Sequence, residues 1–450
     1  MTQKTSRILG VALVVAAVVV VAAVWLNREP APLPDDHAQI LPSAQFEDAA
    51  AAVDYYRARL RQNPESAEVR VRLAQALIQL AEEEGRETEL IPEATERLAE
   101  ALEINPGHYY GQTIQASLLN KLHRFEEARD LSRKLLAEYP DHAYVHGTLV
   151  DALVELGEYD EAVRASDRLQ ALRPGLPAYS RASYLRELHG DTDGAIEAME
   201  MAANAEPRGR GTRAWALYQL GNLYLGQAKP DTAASIFTGI LSERPNFAPA
   251  MTGLGHVALV RGDADEAVRL LEESRALRPM EVTDEILVEA YAAAGDERKA
   301  AAAARRVHES LLAVREMGEL VDMEEADFLA DQGEDLDRAL KMAKQEVERR
   351  PGHLHANETY AWALHKTGDS RRAVPYIERA MRLDTGDAMV HYRAARIYEG
   401  AGQGGEAVRH LRLALEGNLG VESPSAANEA RTLLASLGGG TRVQAVSAVR

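Results

Sequence analysis

The residues best suited to chemistry in this sequence are its histidines and carboxylates. His142 and His146 stand four apart beside Asp141, which on a helix puts both rings on one face, a spacing that a metal ion can use. His353 and His355 bracket a helix start after Pro351. His308 precedes Glu309, but no second histidine follows at the spacing of a zinc-protease helix. The acidic runs Glu82-Glu83-Glu84, Met323-Glu324-Glu325 and Gly333-Glu334-Asp335 lack the alternating oxygen donors of a calcium loop. There is no Gly-rich phosphate loop and no nucleophile elbow. The absence of cysteine removes disulfides, thiolate metal sites, thiol nucleophiles and a lipoprotein anchor. A plainer reading governs at each of these places. His142 starts a helix, His146 packs, His353 and His355 face solvent, and the carboxylates lie on solvated helix faces and turns. No catalytic residue, metal ligand or cofactor is expected, and the chain reads as no enzyme.

The elements that would carry any site are set by a period. Pro64, Pro106, Pro140, Pro174, Pro207, Pro245, Pro279 and Pro351 recur at spacings of 42, 34, 34, 33, 38 and 34 before one gap of 72. Twelve residues before each stands an alanine: Ala52, Ala94, Ala128, Ala162, Ala195, Ala233, Ala267 and Ala339. Upstream in most units is a glycine, at Gly157, Gly190, Gly262, Gly295, Gly368 and Gly402. This predicts a helix, a glycine-assisted turn, a second helix, and a proline that prevents the second from continuing. The alanine belongs where the two helices approach closely. Each hairpin has an apolar face that only the next can cover, which predicts a solenoid.

Leu220-Gly221-x-x-Tyr224…Ala233-x-x-x-Phe237…Pro245 resembles the tetratricopeptide repeat, and Leu254-Gly255…Ala267…Leu271…Pro279 repeats the pattern. The resemblance spans residues 44–437 as ten units: 65–106, 107–140, 141–174, 175–207, 208–245, 246–279, 280–313, 314–351, 352–385 and 386–419. A lone helix at about 44–62 precedes them and a polar cap at about 424–437 follows. Departures are an insertion around Glu82–Glu89, a Gly/Arg insert at 207–211, and Leu312 and Thr385 where the terminal proline would stand. Phe328-Leu-Ala-Asp-Gln-Gly and Tyr360-Ala-Trp-Ala-Leu are similar to the C-terminal part of long bacterial proteins of this type. The resemblance implies an all-α, right-handed superhelix whose first helices line a concave surface.

By similarity to that family, positions 2, 5, 9, 12 and 13 of each unit face the groove. Position 2 gives Tyr110, Tyr144, Trp215 and His355, and position 5 gives Tyr218 and Tyr392. Position 9 gives Asp151, Tyr184, Asn222, His256, Glu289, Phe328, Trp362 and Arg396. Position 12 gives Glu187, Asp331, His365 and Glu399. Aromatics on a concave surface are usual anchors for peptides. Two readings stand side by side: these rings bind a partner, or they pack against the neighbouring hairpin. On the first, Trp362, Phe328 and Tyr392 form one aromatic strip with His365 and Arg396 beside it. With Asp331, Glu358 and Glu399 on the same face, the ligand would be basic, or neutral and apolar. The carboxylate clamp of chaperone-binding members needs Lys, Arg and Asn at positions 5 and 9, and Asn222 alone fits.

Residues 1–7 carry Lys4 and Arg7, and residues 8–26 are 19 positions without a charged or strongly polar side chain. At 1.5 Å per residue that run spans about 28 Å, near the ~30 Å of a bilayer core. Basic flank inside, Glu29, Asp35 and Asp36 outside, it predicts an uncleaved single-pass anchor of an inner membrane, with the rest extracytoplasmic. A cleaved signal peptide is the competing reading, and it exports the same chain. Residues 27–43, with Pro30, Pro32, Pro34 and Pro42, form an extended spacer, and residues 438–450 form a loose tail. The 450 residues carry a net charge of −19, from 51 basic and 70 acidic side chains, which disfavours nucleic acid as a partner. No small-molecule substrate is indicated. The reading is a membrane-anchored scaffold for protein or peptide partners. Its alternatives are an accessory of polysaccharide export and a sugar-polymer binder.

Overall fold

Helix starts are written locally by side chains that accept an otherwise unpaired N–H of the first turn. Ser66, Asp191, Asp263, Asp296, Asp387 and Ser423 do this with oxygen, and His108, His142 and His353 with Nδ1. Helix ends fall on glycines at positive φ, such as Gly157 (φ 73°) and Gly262 (φ 79°), where a side chain would be strained. The computed structural model describes residues 49–438, all α-helix and connecting turns, with 23 helices and no strand among the described residues. The expectations for residues 1–7, 8–26 and 27–43, and for the tail beyond 438, lie outside them. Among the described residues no helix is long and apolar enough to cross a membrane.

A single helix, Ala49–Gln62, precedes ten hairpins. The first five pair Ala67–Glu84 with Glu87–Ile104, Tyr109–Lys121 with Phe125–Glu138, Ala143–Glu155 with Tyr159–Leu172, Leu176–Leu188 with Thr192–Asn204, and Gly211–Gly226 with Pro230–Glu243. The next five pair Ala248–Val260 with Ala264–Leu277, Glu281–Ala293 with Glu297–Glu316, Asp322–Gln332 with Leu336–Arg349, Leu354–Lys366 with Ser370–Ala380, and Ala388–Gly400 with Gly404–Glu416. The one-turn helix Leu419–Glu422 and the helix Pro424–Ser436 close the array.

Close approach explains the small residues. Ala94, Ala128, Ala162, Ala195, Ala233, Ala267 and Ala339 are all 0% exposed. Phe237 is likewise fully buried, wedged between Gly221 and Gly253, where an added Cβ would run into its ring. The apolar side chains form a chain of clusters handed from hairpin to hairpin, with no single centre.

The superhelix then stacks on itself. Leu320 N bonds Leu122 O at 3.3 Å, Arg350 reaches Glu155 at 3.2 Å, and Leu354 N donates to Tyr159 Oη at 3.1 Å. Arg382 caps the carbonyls of both Gly157 and Gly352, at 3.1 and 2.8 Å. The Arg350 and Tyr159 bonds each join residues 195 apart in sequence, so one turn takes between five and six hairpins and its successor lies directly against it. The same seam brings Gly85 against Arg278 and Gly190 against Asp384. Gly262 and Gly295 occupy equivalent turns and meet nothing, because the array ends before a further turn could reach them. At the C-terminal end the chain turns inward: His256 Nε2 donates to Val421 O at 2.8 Å, and Ser423 and Ser425 donate to Glu289 at 2.8 and 2.7 Å.

Candidate functional site: the inner face

The predicted groove residues divide into open rings and side chains packed on adjacent hairpins. Tyr184 and Trp215 stay open, each 40% exposed. Tyr110 is buried in the first apolar cluster, donating to Gln75 with the Arg72 guanidinium 4.4 Å above its ring. Tyr144 is part-buried against Ser117, and Tyr218 lies 5.9 Å from the Phe237 ring with Asn222 beside it. His256 is spent on Val421.

Phe328, Trp362 and Tyr392 sit among packing contacts. Phe328 is half-buried, 5.3 Å from the His308 ring and packed on the cluster that contains Trp362. Trp362 is 5% exposed, its Nε1 donating to Asp331 at 2.6 Å and its face stacked on His365. Tyr392 donates to Glu429 at 2.7 Å and belongs to the cluster under the C-terminal cap, with Arg396 bonded to both Tyr392 and Glu429. Burial drives the His365 pKa down to about 4, so it is neutral.

The acidic background is partly cancelled by a residue the sequence reading passed over. Arg393 is buried and bonds Asp327 at 2.8 and 2.9 Å, Asp331 at 2.9 Å and Glu358 at 3.0 Å. An arginine at a packing position of a first helix was the signal for it. His123 was also missed: it takes a turn position at φ 56°, where other units have glycine, and its Nδ1 donates to Leu320 O at 3.1 Å across the seam.

Two cavities open between the turns and share Tyr184 and His355. One, of about 210 Å³, has Glu187, Glu358, Asp387 and Glu422 in its wall. The other, of about 410 Å³, has Asn120, His123, Asp151, Glu155, Arg181, Glu324 and His353. Burial raises Glu155, Glu187, Glu324 and Asp387 above the ordinary carboxylate range. Glu422 is raised to about 7 by burial and by Asp387. His355 is raised as well, to about 9, because it is hydrogen-bonded to Glu358 at 3.2 Å, so it keeps its charge where the carboxylates tend toward neutral. The cavity walls thus carry more carboxyl groups than cations, and burial favours the protonated form of those carboxyls.

Several plainer expectations are corrected. His353 does not face solvent: it is 2% exposed, caps a helix by accepting from Ala356 N, and is held neutral by burial. Glu325 is not on a solvated face: it is 0% exposed and gathers Arg315, Arg338 and His308. His142, by contrast, caps the helix it was expected to start, and His146 donates to Pro140 O at 2.8 Å, so the two rings are engaged separately. Among the described residues no three His, Asp or Glu side chains stand close enough together to hold a metal ion.

Residues 119–183 and 224–282 match one family model described as tetratricopeptide repeat, and residues 324–388 match a second of the same description. A stretch of 168 residues is 25% identical to cellulose synthase operon protein C of Pseudomonas fluorescens (strain SBW25), over 35% of this chain. The match spans 13% of that relative's length. Among solved structures, the APC/C hetero-tetramer Cut9–Hcn1 is similar at 14% identity and TM-score 0.39, over 86% of this chain and 93% of that one. Yeast Tom70 follows at 13% and 0.32, over 86% and 92%. Scores of that size say nothing about the site. Those three stretches carry tetratricopeptide repeats, and the described residues as a whole form an all-α array of helical hairpins.

Proposed function

We propose that the protein is a non-enzymatic scaffold, held by residues 8–26 on the outer face of an inner membrane, that binds partner proteins on the inner face of its stacked superhelix. The observation that carries this reading is the pair of cavities joined at Tyr184 and His355, where first-helix residues of repeats four and nine meet around an exposed ring. Tetratricopeptide repeats generally serve protein–protein contacts, and a half-open tyrosine amid carboxylates suits an anchor for a basic or apolar segment. The 19-residue apolar run and its charge asymmetry support the anchored topology. The test is in-cell crosslinking of the tagged full chain, followed by detergent purification, for the parent and for Tyr184→Ala. A partner captured by the parent and lost from the folded variant is the expected result. Equal capture by both removes the inner face as the binding surface. Intact mass of the purified chain, with protease access in spheroplasts, tests the anchor, and a mature N-terminus near Val24 overturns it.

A second reading, an accessory of polysaccharide export or a sugar-polymer binder, draws support from the name of the Pseudomonas relative. It requires saccharide-dependent quenching of Trp215, the exposed tryptophan of the inner face. Protein scaffolding requires none.

A further inference from the structure

The cavity of about 410 Å³ has an imbalance of hydrogen-bonding groups. Several of its donors are committed. Arg181 is held by both oxygens of Asp151, at 2.7 and 2.6 Å, and by Pro177 O at 2.8 Å. His123 Nδ1 donates to Leu320 O, and its Nε2 lies 3.3 Å from Glu319. Asn120 Nδ2 donates to Thr148 O at 2.8 Å, and His355 Nδ1 is engaged with Glu358. The acceptors are in surplus. Asn120 Oδ1 and Glu324 Oε2 have no hydrogen-bond partner and are closed to solvent, so a ligand reaches them as the two side chains turn toward the cavity. A buried acceptor left unpaired costs about 1–3 kcal/mol, so a ligand that supplies donors is favoured.

We propose that this cavity receives the guanidinium of an arginine side chain from a partner polypeptide, bonded to Asn120 Oδ1 and Glu324 Oε2 and laid against Tyr184. The proposal rests on the scaffold reading and names the chemistry of its partner. Guanidinium is a planar group with five donors and no acceptor, which suits several acceptors spread around one wall. It also stacks on aromatic faces, and Tyr184 presents a ring that is 40% exposed. In the rest of the lining Asp151, Glu155 and Glu324 stand with Arg181, His123 and the charged His355, and Phe125, Val150 and Val154 can hold an aliphatic stem. Burial raises Glu324 although His123 and Arg350 stand near it.

The test measures anisotropy of a fluorescein-labelled ten-residue Gly/Ser peptide with one central arginine, against the same peptide carrying citrulline. The full chain is used in detergent, with circular dichroism to confirm the fold of each variant. The parent should bind the arginine peptide at least about tenfold more tightly than the citrulline one. Glu324→Gln should bring the two peptides within about threefold of each other, and Asn120→Asp, which adds charge where an acceptor already stands, should tighten the arginine peptide by about threefold or more. Equal affinity of the two peptides for the parent overturns the proposal, as does an arginine preference untouched by both variants. Free arginine amide competing as well as the peptide overturns the assignment to a partner chain. A crosslinked partner that persists while the arginine peptide fails to bind refutes this ligand and leaves the scaffold reading standing.

Discussion

Gly157 and Gly352 lie back to back, one superhelical turn apart, so close that a Cβ on Gly157 would fall within the carbonyl group of Gly352. Gly157 also has φ 73°, where any side chain is strained. The seam between turns is therefore built on the absence of atoms, flanked by Glu155–Arg350 on one side and Tyr159–Leu354 on the other.

Gly157→Ala should open this seam, and Gly262→Ala is its control. Both glycines have nearly the same φ, 73° and 79°, but nothing stands near Gly262. Each alanine costs about 1–2 kcal/mol for the left-handed backbone. Gly157→Ala alone should also raise amide exchange together at residues 155–159 and 350–354. Equal destabilisation with unchanged exchange would mean that the turns do not hold one another.

Ala162→Leu and Ala267→Leu should each destabilise by roughly 1–3 kcal/mol, because both sites are sealed between helices. Repeats couple mainly to their neighbours, so thermal melts should broaden rather than shift as a whole. Melts that overlay on the parent would place the repeat register elsewhere.

Trp362→Ala should behave as a core truncation, with a loss of about 3–5 kcal/mol, since the indole is 5% exposed and bonded to Asp331. Tyr184→Ala and Trp215→Ala, on half-open rings, should cost under about 1 kcal/mol and reveal their effect in partner capture instead. Urea unfolding separates the two cases. A mild Trp362→Ala would restore that residue as a groove anchor.

Glu422 gives the C-terminal end a pH dependence of defined sign. Its pKa is raised from 4.5 to about 7, so the folded state binds the proton more tightly than the unfolded one. The stability this supplies is full below about pH 4.5 and is lost as pH rises through about 7. Glu422→Gln should flatten the fall in stability between pH 5 and 7.5 by about 2 kcal/mol. The check is urea unfolding at both pH values, and parallel behaviour of parent and variant would count against a buried, repelled carboxylate.

The hairpins were legible because their signals are local. Ala162 and Ala267 report a close contact, Gly157 and Gly262 a turn, and His142 and Asp263 a helix start, each within a few residues of the feature it specifies. Stacking of the turns was not legible in the same way. It arises from small rotations accumulated over five to six hairpins, and no neighbour of Gly352 in sequence announces Gly157. Adjacent hairpins and the C-terminal cap turn Trp362 and Tyr392 from groove candidates into packed side chains, while Tyr184 stays open. Stacking draws His353 inside, where the sequence beside Pro351 suggested solvent. Arg393 was legible in principle, as a charge on an otherwise apolar helix face, but its three carboxylate partners come from two other repeats.

The stacked seam has a kinetic consequence. A segment that reaches past the open ring of Tyr184 either slides in end-on or waits for two turns to part, so that step is gated by the protein's own breathing. Association rates would then stop rising with ligand concentration once opening becomes the slow step. Release would be gated in the same way, giving residence times longer than a few shallow contacts would provide. Loosening Gly157 from Gly352 would speed both directions while leaving the equilibrium nearly where it was.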